Sequence, residues 1–259
     1  MASFADAPRV RPFATSVRDL DLDFAQDDRP QLTGAVLRCC VESPAERLDA
    51  ATLDRRVRAL LRIVRETQGD RLLWKTRCAN ADCGHEMELE LSVSQLLSAP
   101  EPAECFSWSA EPGCELELRL PTGRDQIEWR ESAADANEEE GVDLRMASSL
   151  VSRVNGQPPA SDWTLPPDWL PALDAAFREH DVLTAMELQV SCPWCGKESA
   201  LEPDVEALAL SRLAAEQRRV LEEIHQLASA YHWTEADVLA LPRLRRSFYI
   251  ARTGGEALP

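Results

Sequence analysis

Four of the eight cysteines lie in two short stretches, "RCANADCGHE" at 77–86 and "SCPWCGKES" at 191–199. In each, two thiols a few residues apart are followed at once by a glycine, Gly84 or Gly196. A turn of this type places two sulfurs on one side of a tight loop, and the glycine supplies the positive φ that closes it. One such turn offers two ligands, whereas a structural zinc site takes four in a tetrahedron. Cys78, Cys83, Cys192 and Cys195 therefore form a candidate Zn2+ set, the two halves of one split zinc ribbon. The spacings, C-x4-C and C-x2-C, both lie in the range of structural zinc sites. Four thiolates close the shell, so the ion would hold the fold and leave no position open for catalysis. His85 is a rival ligand. Unmetallated thiols, disulfides and a thioredoxin-type redox pair at "CPWC" are the alternatives, the last without a βαβ pattern around it.

Alignment on the second cysteine of each pair strengthens the two-halves reading. Cys83 meets Cys195, Gly84 meets Gly196, Glu86 meets Glu198, Leu89 meets Leu201, Val93 meets Val205 and Leu96 meets Leu208. Each copy reads as a strand, a cysteine turn, a second extended segment and a helix. Cys39 and Cys40 read as helix core, and Cys105 and Cys114, without the turn spacing, receive no role.

Other chemistry is sparse. The four histidines, His85, His180, His225 and His232, stand beside no nucleophile signature. G-x-x-x-x-G-K-[ST], G-x-G-x-x-G and H-E-x-x-H are absent, and ten glycines in 259 residues leave little for phosphate-cradling loops. No catalytic residue and no cofactor-binding residue is assigned, and the expectation is a protein that is not an enzyme. The formal net charge of -17 repels nucleic acid and anionic membranes at long range. No stretch approaches the ~20 apolar residues of a membrane span, and no signal peptide is recognised, so the expected location is cytoplasmic.

The elements that must position these residues give an α+β, mostly helical class. Residues 1–30 are polar and read as a flexible N-terminal arm. Residues 31–203 read as a helical and split zinc-ribbon domain. Within it, 31–43 and 44–70 are helical, "EMELELSV" and "CELELRLPTG" alternate as half-buried strands, and 131–141 is a solvated acidic loop. "VDLRMASSLVSRVNG" and "PPDWLPALDAAFREH" read as two amphipathic helices. Residues 204–259 read as a C-terminal helical docking segment. A long helix carries the stripe Val205, Leu208, Leu213, Val220, Leu221, Ile224, Leu227, Ala228 and Tyr231. Thr234 caps the next helix with Asp237 three residues on, and a basic helix follows. Its arginines, Arg243, Arg245, Arg246 and Arg252, with Trp233, Phe248 and Tyr249, form either a solvated face or a docking surface for an acidic partner.

Four stretches together resemble a family of contractile-tail baseplate proteins, the hub assembly proteins of T-even-type phages and their relatives in extracellular contractile injection systems. They are "RALLRIVRETQGDRLLWKTRCANADCGHEMELELSVSQLL", "ELRLPTGRDQ", "MELQVSCPWCGKES" and "VLEEIHQLASAYHWTEADVLALPRLRRSFYI", and the likeness runs from about residue 32 to 251. The last is the most specific. The first cysteine turn departs from the family by two extra residues, and a basic segment expected before the arginine-rich helix is degenerate here. The resemblance implies a structural or chaperone role in assembly, with other baseplate or tail proteins as partners and no small-molecule substrate. The location is then cytoplasmic during assembly, or the finished particle if the protein is retained. Tyr231, Trp233, Arg245, Arg246 and Tyr249 would contact the partner, and Leu239 and Leu241 would pack. The competing functions are a zinc-ribbon regulator that binds nucleic acid and an enzyme, either a CPWC thiol oxidoreductase or a hydrolase using His225 or His232.

Overall fold

A computed structural model describes residues 8–111, 113–135, 141–160 and 162–253. The chain opens with a short helix, α1 (Val17–Leu20), then α2 (Arg29–Cys40), α3 (Ala45–Asp49) and α4 (Leu53–Gln68). Leu60, Leu61, Ile63 and Val64 of α4 are fully buried, as its i, i+3/i+4 pattern requires. Gly69, at φ +89°, ends the helix. Two arginines of α4 are buried as well. Arg58 pairs with Asp54 at 2.6 Å and donates to the carbonyls of Ala99 and Pro100 at 2.9 Å each. Arg56 donates to the carbonyls of Leu48 and Pro30 at 3.1 Å. These guanidiniums satisfy backbone carbonyls at helix ends and in the connection after α5, which are otherwise costly to bury.

The hairpin β1 (Arg71–Arg77) and β2 (Glu86–Ser92) follows, in register from Arg71 opposite Ser92 to Arg77 opposite Glu86. The alternation turns Leu72 and Met87 inward and sets Arg71 against Glu90 and Arg77 against Glu86 on the wet face. After α5 (Val93–Ser98) come β3 (Cys105–Glu111) and β4 (Cys114–Arg119). Next are α6 (Gly123–Asp135), α7 (Val142–Ser149) and β5 (Val151–Val154), which pairs with β4 to complete an antiparallel sheet of order β3-β4-β5. Arg119 at the end of β4 grips Asp125 of α6 through two 2.6 Å bonds, and Asp125 accepts from the Thr122 amide at 2.8 Å. The strand end "RLPTGRD" is thus a corner closed by an ion pair. A 3-10 turn at Pro167–Trp169 leads into α8 (Leu170–His180). The second cysteine hairpin is β6 (Leu188–Ser191) with β7 (Glu198–Leu201). The chain finishes with α9 (Val205–Tyr231), α10 (Glu235–Ala240) and α11 (Arg243–Thr253). Thr234 and Asp237 form the reciprocal cap of α10.

Three apolar clusters result. The largest joins α2, α4 and α9, the second joins the three-stranded sheet to α8, and the smallest lies around Cys78, Met87 and Cys192. The α+β class holds.

Four local expectations are corrected. Residues 8–30 are no free arm. Phe13 is 2% exposed and packs in the largest core, and Asp19 is fully buried against Arg11 at 2.6 Å. Residues 1–7 lie outside the described residues. The expected acidic loop 131–141 begins as helix, since α6 runs to Asp135, and its residues 136–140 lie outside the described residues. "VSRV" at 151–154 is a strand rather than a continuation of α7, because β4 offers it a pairing edge. On α9, Leu221 and Tyr231 face outward, while Ala209, Leu210 and Gln217 turn in.

Candidate metal centre

Both cysteine turns are built by strand ends. At the first, the Cys78 amide donates to the His85 carbonyl at 2.9 Å, which continues the β1–β2 pairing past the strand ends. The Asn80 carbonyl accepts from the amides of Cys83 and Gly84 at 2.9 and 3.0 Å, and Gly84 takes φ +56°. At the second, the Cys192 amide donates to the Lys197 carbonyl at 3.0 Å, the Gly196 amide donates to the Cys192 carbonyl at 2.9 Å, and Gly196 takes φ +69°. Both glycines therefore occupy the left-handed region that other residues rarely adopt.

The two hairpins bring Cys78, Cys83, Cys192 and Cys195 to one point, with all four sulfurs within 4.8 Å of one another. Across the halves, Cys78 Sγ lies 3.7 Å from Cys195 Sγ, and Cys83 Sγ lies 3.8 Å from Cys192 Sγ. A tetrahedron of sulfurs each ~2.3 Å from a central zinc has edges of about 3.8 Å. A disulfide needs sulfurs at ~2.05 Å, and all eight cysteines are free thiols. Donor type, number and spacing thus suit a thiophilic cation. Cys78 and Cys192 are buried, and Cys195 is exposed at the rim.

The local fields are unequal. The Cys195 thiol is drawn down to about 6, chiefly by the Lys197 amide and, once its burial is offset, by the Asn80 side chain and neighbouring thiols. Cys78 is pushed up to about 12: the Asn80 amide pulls it down, but burial and contact with the other three sulfurs outweigh that pull. Four sulfurs this close share little negative charge unless a cation joins them.

Asn80 is the site residue that sequence reasoning missed. Its amide faces Cys78 Sγ at 3.4 Å, and its side-chain Nδ2 reaches across to Cys195 Sγ at 3.8 Å. The only signal was its place in the longer C-x4-C turn. His85, the rival ligand, sits at the edge. Its Nδ1 is 3.0 Å from the Cys83 carbonyl and 3.4 Å from Cys83 Sγ, and its ring stacks on Trp194 at 5.2 Å.

The other expected residues are placed as follows. Cys40 is buried in the main core, and burial raises its thiol to about 12. Cys39 packs against the same core. Cys105 lies opposite Arg119, and Cys114 lies opposite Glu111. His180 stacks on Phe106, with ring centroids 3.9 Å apart, and His232 is the left-handed C-cap of α9. Among the described residues, no other group of three or more His, Cys, Asp or Glu side chains converges as the four cysteines do.

In the C-terminal segment, Tyr231, Trp233 and Tyr249 meet as one aromatic cluster. Tyr231 stacks on Trp233 at 4.9 Å, and Tyr249 stands edge-on to both. Arg245 is exposed. Arg246 is not available to a partner: it is 6% exposed and ion-paired with Glu223 of α9 at 3.2 Å. Its partner-contact assignment is corrected to a packing one, because helical spacing turns residue 246 towards α9. Leu239 packs against the main core, whereas Leu244, which drew no assignment, is 84% exposed. Comparison of the chain with protein-family models, with curated proteins and with solved structures finds no match.

Proposed function

We propose that Cys78, Cys83, Cys192 and Cys195 hold one structural zinc ion, and that the chain is a non-enzymatic assembly protein of a contractile phage tail or contractile injection system. The observation that carries the metal reading is the convergence of four thiols from two hairpins more than a hundred residues apart. An ion there would supply charge neutralisation and a covalent-like tie between the hairpins, and its binding energy would be folding energy. With four sulfurs around it, no position remains for substrate or water.

The assembly reading rests on the resemblance over residues 32–251 and on the surface of α11. Leu244 and Phe248 are one helical turn apart and both exposed, and the Arg252 guanidinium lies 4.0 Å from the centre of the Phe248 ring. Aromatic and arginine side chains are the types enriched at interface centres. The acidic charge of the chain argues against the nucleic-acid regulator.

The test is metal content by mass spectrometry on protein purified without added metal. About one zinc per chain is expected, lost in Cys78→Ser and in Cys192→Ser together. Absence of zinc, or its retention in either variant, overturns the site. For the assembly half, Leu244→Ser with Phe248→Ser should block particle formation while metal content stays unchanged. Particles that form normally would remove this surface from the proposal.

A further inference from the structure

A cleft of about 830 Å3 opens between the two large apolar clusters. Pockets of ~300–1,000 Å3 at such junctions are where proteins bind ligands. The walls are apolar: Met146, Leu150, Leu173, Phe177, Leu183 and Met186 all line it. The two methionines give a wall that can repack around different apolar shapes.

The charge is one-sided. Six carboxylates, Asp143, Asp174, Asp181, Glu202, Asp204 and Glu206, line the cleft against two guanidiniums, Arg29 and Arg178, an excess of four negative charges. Both arginines are already paired, Arg29 with Asp204 and Glu206, and Arg178 with Asp174 and Glu202. Asp181 differs from the rest. It is 4% exposed, and Thr184 is its hydrogen-bond partner, through the amide to Oδ1 at 3.2 Å and through the side chain. Among the described residues no salt bridge reaches it: the nearest guanidinium to act on it, Arg58, is committed to Asp54. Burial raises the Asp181 carboxyl above its ordinary range. A buried carboxylate without a direct ion pair is costly, and a cation delivered to it is correspondingly favoured.

From this geometry we propose that the cleft receives an apolar segment of a partner protein carrying an arginine or lysine, whose cationic head pairs with Asp181. The rim charges are spread over α7, α8 and the approach to α9, which suits an extended chain with several contacts. The protein's own residues 136–140, Ala-Asn-Glu-Glu-Glu, carry the wrong charge. The inference goes beyond the assembly reading and is independent of the α11 surface.

The experiment presents a positional-scanning pentapeptide library to the immobilised full chain, the central residue fixed in turn as Arg, Lys, citrulline, Gln, Glu or Leu. The best peptide is then followed by fluorescence anisotropy. Apolar flanks around Arg or Lys should be selected, with citrulline at least tenfold weaker. Asp181→Asn should erase that difference. Ala185→Trp, which fills the cleft from a half-exposed loop, should abolish binding, and Leu244→Ser should leave it unchanged. No binding, binding indifferent to the central charge, or binding that survives Ala185→Trp overturns the proposal. So does equal competition by hexylammonium, which would make the cleft a site for small amines.

Discussion

Asn80 links the two halves of the cysteine cluster at the sulfurs themselves. It shapes the first turn through its carbonyl and touches sulfurs of both hairpins. Hydrogen bonds to a metal's ligands commonly carry ~10–100-fold in affinity. On the proposed zinc reading, Asn80→Ala should therefore keep the fold and release zinc at least tenfold more readily to a chromophoric chelator. An unchanged competition curve would reduce Asn80 to turn geometry. A second residue-scale expectation concerns Asp181. Its folded-state carboxyl lies above the ordinary value because burial disfavours the charge, so the native state holds the proton more tightly than the unfolded chain. Stability from this group then falls as pH rises from ~4 through the folded value, and the loss is complete once the carboxylate is ionised. Asp181→Asn keeps an acceptor for the Thr184 amide and should raise the melting temperature at pH 7 by roughly 2–4 °C, about 1 kcal/mol in a chain of this size. The gain should shrink towards pH 4. A variant that melts lower at pH 7 would mean that the carboxylate is matched by something other than burial. Sequence alone could name the four cysteines, because thiol spacing and glycine are local signals. It could not name Asn80 or Asp181, whose roles come from neighbours far away in the chain.

At the scale of elements, the most informative is the segment before α2. "VRPFATSVRDLDLDFAQDD" looks solvated, yet it crosses α9 and is tied there by Gln217. The Gln217 Nε2 group faces the carbonyls of Asp19, Leu20 and Leu22 at 3.1, 3.1 and 2.7 Å. Phe13 meets Phe24 edge-on at 5.8 Å beneath this crossing. Gln217→Leu leaves three buried or half-buried carbonyls without that donor, at a cost of about 1–3 kcal/mol. Faster amide exchange confined to residues 11–24 is the expected readout. Exchange that rises equally throughout α9 would show that the segment and the core open together. The same contrast explains which elements were legible. Helices α2, α4 and α9 declare themselves through apolar periodicity, and α10 through its cap. The strand β5 and the packed N-terminal segment do not, since each depends on a partner distant in sequence. Arg246 failed for the same reason: an arginine beside exposed aromatics reads as surface until Glu223 is seen opposite it.

For the whole molecule, the cysteine cluster closes a long loop. Cys83 and Cys192 are 109 residues apart, and the second apolar cluster and much of the acidic cleft lie between them. A tie across ~100 residues removes about 4–5 kcal/mol of chain entropy from the unfolded state on the cross-link model. Treatment with a strong chelator should thus lower the melting temperature by roughly 10 °C or more, and added zinc should restore it. A melt indifferent to the chelator would assign stability to the apolar clusters alone. The overall class was readable because helices and alternating strands dominate the chain. The cleft was not, since its walls come from elements spread between residues 29 and 206.

The separation of the two cysteine turns also sets an order of events during synthesis. At ~5–20 residues per second, the ribosome makes Cys192 roughly 5–20 s after Cys83. For that interval the nascent chain presents two thiols of a four-thiol cage, a weak and incomplete binder that is open to exchange. Full coordination becomes possible only when the second pair has emerged and folded back past everything translated in between. On the proposed metal reading, capture of the ion would be a late step that reports on the arrival of both cysteine pairs. A chain truncated before Cys192 would be left with an open pair of thiols and half of the four-sulfur set.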